Sequence, residues 1–343
     1  MRTVILLVLI HLACAGWLPA QSTDGSDREI LFAAEALKRI QPRPSVRGDD
    51  AGWFFLVKEL KHLSTGRFWE KPWEEVAANG SDPIPSILEF HELLAKKGIS
   101  LLLVPVPAKA GIYPDKLAGG FAPGEVAAIA PLLEKISLAG VKVLDLEPRF
   151  LEDRTVDPER LLYCRQDAHF SPAAIEVLAE LISEEAKKIV TPGQSADLSI
   201  GDEEILSLVG DQIAGTEWEG AVALESLPVR YVESAGKRGV SPDAASPVLL
   251  LGDSHTLVFH EGKESGMHCS AAGVIDHLAV RLGIVPDLVG VRGSGLVQAR
   301  KQLFFKAAST PGYWESKKLV VWLFSVREFT QSTDRFISIP LER

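Results

Sequence analysis

The residue whose position could best support chemistry is Ser254. It follows the short apolar run at 248–251, after Gly252 and Asp253. Such a run predicts a buried strand, and a glycine directly after it permits a tight turn. Because ligands bind beyond the carboxyl ends of the strands in open α/β sheets, the Ser254 hydroxyl would face a binding site, with backbone N–H groups available to an oxyanion. We interpret Ser254 as a candidate nucleophile for acyl transfer, with helix capping as the alternative.

A serine hydroxyl needs a general base, and the best candidate is His169, with Asp167 as its orienting carboxylate. A spacing of two residues in an extended segment puts both side chains on one side of the backbone. By itself an Asp-x-His triplet is weak evidence, since a single histidine is more often structural. An Asp-x-His before a helix together with a Gly-Asp-Ser turn in one α/β chain predicts a shared Ser-His-Asp site.

The same part of the sequence offers possible metal ligands in Asp167, His169, Asp253 and His255. No H-E-x-x-H or similar spacing supports a metal site, so we predict none. Asp253 is expected to hold the turn by bonding local backbone N–H groups, and His255 and His260 are expected to be surface or packing residues. No nucleotide-phosphate loop is visible, and we predict no cofactor.

Two further groups of polar residues follow predicted strands. Lys109 and Tyr113 come after the run at 99–106, and Arg327 comes after the run at 319–325. All three are expected at the same rim as Ser254, where Lys109 and Tyr113 would bind substrate. The prolines around Lys109 and Tyr113 leave a rigid structural turn as the alternative.

The elements that must position these residues alternate along the chain. Apolar runs predict strands at 99–106, 141–146, 248–251, 288–291 and 319–325, and periodic segments predict helices at 83–98, 123–138, 171–189, 271–282 and 296–308. This alternation predicts an α/β fold, with a parallel sheet that carries helices on both faces. Residues 191–245 break the rhythm and contain one strand-like piece, 229–232, so we interpret them as an inserted lobe.

The N-terminus is typical of a secretory signal. Arg2 precedes an apolar run at 4–10 and a small-residue stretch at 13–16, so residues 1–20 are expected to be a signal peptide and 21–50 a lead-in. An uncleaved anchor is the alternative, and Cys14 gives a weak indication of a lipoprotein. Of the other cysteines, Cys164 and Cys269 could form one disulfide or stay as two thiols.

Composition narrows the class of function. The 343 residues are 46% hydrophobic and 24% charged, which is typical of a globular protein. This length fits two domains or one domain with an inserted lobe. The net charge of -10 and the pI near 5.4 argue against a surface that neutralises phosphates, so we expect no nucleic-acid partner.

These motifs resemble a known family. Gly252-Asp253-Ser254 matches the first signature block of SGNH (GDSL-type) hydrolases, whose Asp-x-x-His follows the serine. The pair Asp167 and His169, which precedes the serine, resembles the AlgJ/AlgX-type alginate O-acetyltransferases. Residues 50–55 (DAGWFF), residues 104–114 (VPVPAKAGIYP) and the aromatic that follows His169 add to the likeness, which covers roughly 50–330.

The resemblance implies an SGNH-hydrolase-like acyltransferase domain at 51–335, with the insertion at about 191–245. It implies O-acetyl transfer to an exported polysaccharide: Ser254 would take the acetyl group, His169 would act as base and then acid, and Asp167 would orient it. It also implies a periplasmic or otherwise extracytoplasmic protein, either free or membrane-associated, with a membrane-bound O-acyltransferase as acetyl-donor partner. A carbohydrate esterase or deacetylase and a non-catalytic glycan-binding or scaffold component of a polysaccharide export complex are the alternatives.

One feature of ordinary SGNH hydrolases has no counterpart. Their oxyanion-hole asparagine lies after the serine, whereas the only asparagine here is Asn79. Another donor must serve, and Arg292-Gly293-Ser294-Gly295 at the end of the run at 288–291 can offer backbone N–H groups or a guanidinium. A plain strand-to-helix turn is the alternative. We expect these four residues to bind the oxyanion or the substrate.

Overall fold

The computed structural model describes residues 25–194 and 197–342. The predicted signal peptide at 1–20 lies outside the described residues. Among the helices that are described, none combines the length and the apolar character that crossing a bilayer requires. Cys164 is buried and Cys269 is half-buried, and both are free thiols, which decides between the two alternatives for this pair.

The strands and helices follow one another along the whole described chain. The strands are β1 (Ser45–Arg47), β2 (Phe54–Leu56), β3 (Ser100–Val106), β4 (Lys142–Val143), β5 (Leu198–Leu208), β6 (Glu225–Ser234), β7 (Lys237–Arg238), β8 (Val248–Gly252), β9 (Glu261–Gly262), β10 (Met267–Ser270), β11 (Asp287–Gly290) and β12 (Leu319–Ser325). The helices are α1 (Gly25–Lys38), α2 (Val57–Leu63), α3 (Trp73–Val76), α4 (Ile84–Ala95), α5 (Lys109–Ile112), α6 (Pro114–Leu117), α7 (Ala130–Leu138), α8 (Glu147–Val156), α9 (Pro172–Ala186), α10 (Val274–Leu282), α11 (Val297–Ser309) and α12 (Glu328–Gln331). Single 3-10 turns lie at Phe68–Glu70, Ser254–Thr256 and Lys263–Ser265.

A five-stranded parallel sheet in the order β11-β8-β12-β3-β4 forms the centre of the fold. Successive side chains of a strand point to opposite faces, so Leu102 and Val104 pack into one hydrophobic core and Leu101 and Leu103 into the other. Burial on both faces explains why these strands are continuous apolar runs in the sequence. The predicted parallel sheet is confirmed.

Two predicted elements are shorter in the structure. The predicted helix at 123–138 is helical only as α7, because the chain before it contains Gly124 in the left-handed region at φ +84°. The predicted strand at 141–146 pairs with β3 only through Lys142 and Val143 at the edge of the sheet. Beyond that pair the Asp145 carboxylate accepts a hydrogen bond from the Glu147 N–H at 3.1 Å, which turns the chain into α8.

Part of the predicted inserted lobe forms a separate three-stranded antiparallel sheet, β5-β6-β7. The strand-like piece predicted at 229–232 lies within β6. Leu227 and Val229 of β6 are buried and belong to the same hydrophobic core as α9. The loop between β5 and β6 contains Asp211, which lies beside the segment that carries Asp167 and His169.

Candidate active site

Ser254 opens a tight turn at the carboxyl end of β8. A Cβ on Gly252 would lie 1.9 Å from the backbone oxygen of Leu323 in the neighbouring β12, so the close approach of these two strands requires glycine. Asp253 then holds the turn: one carboxylate oxygen accepts from the His255 N–H at 2.9 Å, and the other accepts from the Ser325 N–H at 2.8 Å. The role predicted for Asp253 is confirmed.

The structure brings the three predicted catalytic side chains into one hydrogen-bonded chain. His169 Nε2 lies 2.7 Å from Ser254 Oγ, and His169 Nδ1 lies 2.6 Å from Asp167 Oδ1. The same Asp167 oxygen accepts from the His169 backbone N–H at 2.9 Å, which is a local consequence of the two-residue spacing. All three residues are buried, and Ser254 and His169 keep 7% and 8% of their surface exposed. The candidate nucleophile, base and orienting carboxylate therefore have the distances that acyl transfer would require.

The segment with Asp167 and His169 is irregular, and neighbouring elements hold its backbone. The Glu225 carboxylate of β6 accepts from the N–H groups of Arg165 at 2.7 Å and Gln166 at 2.9 Å. The Phe54 N–H of β2 donates to the Arg165 oxygen at 2.8 Å. A Cβ on Gly210, in the loop after β5, would lie 2.0 Å from the Gln166 oxygen. The triad segment therefore depends on contacts from distant parts of the chain.

Lys109 belongs to this support, which corrects its predicted role in substrate binding. Its side chain is fully buried, and Nζ donates to the backbone oxygens of Phe54, Arg165 and Asp167 at 2.7, 2.8 and 3.0 Å. All three ammonium protons thus have protein acceptors. Lys109 joins β2 to the triad segment and does not reach the surface.

Tyr113 and Arg327 are also turned inward. Tyr113 is 2% exposed, and its hydroxyl accepts from the Leu162 N–H at 3.0 Å, so it too is a packing residue and not a substrate contact. Arg327 is buried, with Nη1 3.8 Å from Glu59 Oε1. Burial raises the pKa of Glu59 to about 7, against the opposing charge of Arg327.

The four residues predicted for the oxyanion have different surroundings. The exposed Arg292 guanidinium donates to a backbone oxygen before β10, and Ser294 Oγ donates to a carboxylate near the C-terminus at 3.1 Å. Gly293 has φ +87°, a conformation that suits glycine. Gly295 alone of the four approaches the nucleophile turn closely: a Cβ there would lie 3.2 Å from the Cβ of Asp253.

Two residues of the site were missed by sequence reasoning. Asp167 Oδ2 accepts from the Asp211 N–H at 2.7 Å and lies 2.8 Å from His268 Nε2. The Asp211 carboxylate accepts in turn from the Ala168 N–H at 2.8 Å. Asp211 lies in the lobe that the sequence left unassigned, and His268 lies in a hairpin with no recognisable motif. No local signal could have found either residue.

Burial and neighbouring charges act in opposite directions on the pKa values of Asp167 and His169. Burial alone would raise the pKa of Asp167, but the charge and hydrogen bond of His169, and then those of His268, hold this pKa well below its usual range. Burial alone would lower the pKa of His169, but Asp167, and then Asp211, raise it to about 9. Burial and the charge of Asp167 raise the pKa of Asp211. His169 must therefore lose a proton before it can act as a base near neutral pH.

Asp253 and His255, the residues on either side of Ser254 in the sequence, form a second Asp-x-His pair. His255 Nδ1 lies 2.9 Å from Asp253 Oδ1, and the His255 ring packs 5.0 Å from the ring of His169 and 4.6 Å from that of Phe170. Burial lowers the pKa of His255 despite the neighbouring Asp253. Of the two alternatives for His255, surface or packing, the structure shows packing, and burial disfavours the charged form of its ring.

Asp167, His169 and Asp211 also offer three possible ligand atoms within 4.8 Å of one another. Both carboxylate oxygens of Asp167 already accept hydrogen bonds from protein donors, and His169 Nε2 faces the serine. We assign this cluster no metal, and the predicted lack of a metal site stays a prediction.

A cavity of about 430 Å³ opens between the triad segment and β6. Its lining includes Arg165 and Gln166 of the segment, Ser171 before α9, and Glu225 and Leu227 of β6. None of the three triad side chains lines it, so its position assigns it no catalytic role.

Comparisons of this chain with known proteins agree with the resemblance that the sequence motifs indicate. A family model described as "SGNH hydrolase-like domain, acetyltransferase AlgX" matches residues 46–262, a range that contains Asp167, His169 and Ser254. A curated relative, the probable alginate O-acetylase AlgJ of Pseudomonas aeruginosa, is 25% identical over 166 residues, which are 47% of this chain and 39% of the relative. The match thus spans well under half of that relative's length.

Two solved structures are similar in fold. The O-acetyltransferase domain of Pseudomonas putida AlgJ superposes with a TM-score of 0.60 at 19% identity, over 84% of this chain and 93% of that chain. AlgX of Pseudomonas aeruginosa superposes with a TM-score of 0.58 at 18% identity, over 87% of this chain and 66% of that chain. The family model covers more than half of the 343 residues, and it confirms the resemblance that the Gly-Asp-Ser and Asp-x-His motifs indicate. This chain belongs to the family of SGNH hydrolase-like, AlgX-type acetyltransferase domains.

Proposed function

We propose that the protein is an O-acetyltransferase that modifies an exported polysaccharide through an acyl-serine intermediate on Ser254. The observation that carries this proposal is the continuous hydrogen-bonded chain from Ser254 Oγ through His169 to Asp167, with distances of 2.7 and 2.6 Å. Membership of the acetyltransferase family supports acetyl as the transferred group. We assign the catalytic domain to 51–335, with the segment at about 191–245 as its insertion.

In the first half-reaction, Ser254 Oγ attacks the carbonyl carbon of an acetyl ester while His169 Nε2 takes the hydroxyl proton. The tetrahedral intermediate collapses, the bond to the donor's oxygen breaks, and His169 returns the proton to that leaving oxygen. Asp167 stabilises the imidazolium that exists between these steps. The products are the acetylated Ser254 and the donor alcohol.

In the second half-reaction, a sugar hydroxyl attacks the acetyl carbonyl on Ser254 and gives its proton to His169. Collapse of this second intermediate breaks the bond to Ser254 Oγ, which receives the proton back. Ser254 and His169 are more than nine-tenths buried, which limits the access of bulk water to the acyl-serine. The acceptor leaves as an O-acetyl ester, and the enzyme is regenerated.

The oxyanion needs donors that lie beside Ser254. The backbone N–H of Ser254 donates no hydrogen bond to the described part of the chain, so it is available to an oxyanion. We assign the second donor to the backbone of the loop at 293–295, since Gly295 packs against Asp253 without a side chain. Asn79, the only asparagine, holds a turn near the C-terminal segment, where its amide donates to the Asp334 oxygen.

The acetyl donor and the acceptor are part of the proposal. The name of the Pseudomonas aeruginosa relative refers to alginate, and we propose a polysaccharide acceptor of this general kind. A net charge of -10 provides no overall attraction for a polyanion, so recognition must use local contacts. The donor partner would be a membrane-bound O-acyltransferase, and the site of action periplasmic or otherwise extracytoplasmic.

The test uses purified protein with an aryl acetate ester, with and without an oligosaccharide acceptor. We expect acetylated sugar, an acetyl adduct on Ser254 by mass spectrometry, and a loss of at least about 10³-fold in kcat for S254A and H169N. S137A, which changes an exposed serine of α7, is the matched control and should keep wild-type activity.

Two outcomes would contradict the proposal. Release of acetate at the same rate with and without acceptor, with no acetylated sugar, would identify an esterase that uses the same triad. A wild type that never forms an acyl adduct would indicate a glycan-binding or scaffold protein instead.

A further inference from the structure

His268 lies in β10, which pairs with β9 as an antiparallel hairpin. The backbone is strained at His268 and at one residue on each side of this hairpin. Phe259, His268 and Ala271 have φ values of +59°, +68° and +69°, in the left-handed region that side-chain-bearing residues rarely adopt. Backbone hydrogen bonds hold this conformation: the Phe259 N–H donates to Met267 at 3.0 Å, and the Ala272 N–H donates to Phe259 at 2.8 Å. Such strain persists where the surroundings hold it, and it clusters at functional sites.

The strained conformation directs the His268 ring at the triad. His268 Nε2 lies 2.8 Å from Asp167 Oδ2, while the other oxygen of the same carboxylate accepts from His169. The ring packs on Phe259, with 5.3 Å between centroids, and only 9% of its side chain is exposed. Because an ionised carboxylate only accepts hydrogen bonds, Nε2 must carry the proton and donate it.

We propose that His268 is a positioning residue that acts through Asp167: it holds the second carboxylate oxygen and so sets how strongly Asp167 orients and charges the base His169. This inference rests on the proposed function. His268 contacts Asp167 Oδ2 and Phe259, whereas His169 Nε2 is the group that meets Ser254 Oγ, so the effect of His268 must pass through the carboxylate.

The physical effect has a definite sign. A donor on Oδ2 draws negative charge away from Oδ1, which reduces the attraction that Asp167 exerts on the proton of His169. Without His268, only the Asp211 N–H would donate to Oδ2, so the pKa of His169 should rise further and the base form should appear only at higher pH. The other titratable or charged groups that face Asp167 and His169 stay the same in all variants: Asp211 after β5, Asp253 and His255 in the nucleophile turn, Glu59 of α2, Lys109 of α5, Cys164 of the same segment and Glu225 of β6.

Three variants of the full protein separate this role from simple packing. H268F keeps a ring against Phe259 and removes the donor, and H268Q keeps a side-chain N–H. H260F is the matched control, because His260 makes an equivalent contact with Asp276 at 2.9 Å in the same region without touching the triad. If H268F does not fold, H268M serves as the variant without a donor.

The measurement is the pH profile of kcat/KM with an aryl acetate ester. For H268F we expect the acidic limb to move upward by about half a pH unit, which is about three-fold in kcat/KM on that limb. H268Q and H260F should keep the wild-type limb. An equal loss of activity at every pH, or an H268F limb that matches H260F or H268Q, would overturn the inference.

A second readout keeps this inference separate from the proposed function. The imidazole titration of His169, followed by NMR of isotope-labelled histidine and assigned with H169N, should shift upward in H268F whether or not the protein transfers acetyl groups. An unshifted titration overturns the role of His268. A wild type without an acyl adduct on Ser254 overturns the proposed function alone.

Discussion

Replacement of Lys109 by methionine tests whether this residue supports the triad segment or binds substrate. In wild type, the fully buried Nζ donates to the backbone oxygens of Phe54, Arg165 and Asp167. Methionine has a similar length and no donor. K109M would therefore remove a charged donor from three backbone oxygens, of which that of Arg165 keeps the Phe54 N–H, while most of the packing stays.

The magnitude follows from two opposing terms. A hydrogen bond to a charged group contributes about 1.5–3 kcal/mol, so three such bonds would together account for several kcal/mol. Against this, the ammonium is fully buried, which lowers the pKa of Lys109 and carries a desolvation cost that methionine removes. We expect a net loss of about 2–4 kcal/mol in the free energy of unfolding.

Loosening of the segment should also move His169 relative to Ser254. A misplacement of this kind costs up to about 10²-fold in rate, so we expect kcat to fall by about 10- to 100-fold with KM little changed. Urea unfolding and steady-state kinetics measure the two effects, and K61M, which removes an exposed lysine of α2, should change neither. A K109M protein with wild-type unfolding and a raised KM would refute this reasoning and restore Lys109 as a substrate contact.

Three further outcomes follow from the geometry. G252A should lose at least about 2 kcal/mol of stability by thermal unfolding, because its Cβ would lie 1.9 Å from a backbone oxygen of β12, whereas G119A, with open space around it, should stay close to wild type. G210A should lower kcat more than it lowers stability, because its Cβ would lie 2.0 Å from the backbone of the triad segment; equal melting with equal kcat would contradict this. The pKa of His169 is raised from 6.5 to about 9, so its contribution to stability is complete below about pH 6.5 and is lost as the pH rises through about 9. Urea unfolding of wild type should thus lose up to about 3 kcal/mol over that range relative to H169Q, and parallel pH profiles would show that the pKa is not raised.

The parallel sheet was predictable because its strands are buried on both faces. Because both faces of such a strand are buried, nearly every position is apolar, and the sequence shows a continuous apolar run such as that of β12. The edge strand β4 has one neighbour and little burial, so its sequence does not fix its length. The β5-β6-β7 sheet was missed except for part of β6. Most residues of β5 are exposed, so it has no apolar run, and a proline interrupts the alternation of buried and exposed residues in β6.

The hydrogen-bonded chain of Ser254, His169 and Asp167 was predictable for local reasons. Two-residue spacing lets one oxygen of Asp167 accept from both the backbone and the ring of His169, and a glycine after a buried strand puts Ser254 at the sheet edge. Asp211 and His268 reach Asp167 from 44 and 101 residues away in sequence. Their contribution depends on tertiary packing, and no spacing within the chain encodes it.

Lys109 was predicted to bind substrate, but it supports the segment that carries Asp167 and His169. Two of the sequence segments that carry the family resemblance share this supporting role. Residues 50–55 contain the first two residues of β2, and residues 104–114 contain the end of β3 and Lys109. Both segments bond to the backbone of the triad segment, through the Phe54 N–H and through Lys109 Nζ. Ser254 needs little such support because the end of a regular strand presents it. His169 lies on an irregular segment, so contacts from distant residues must hold it in place. If the rate depends on the alignment of His169 with Ser254, substitutions at those distant residues should lower the rate even though they do not contact the substrate.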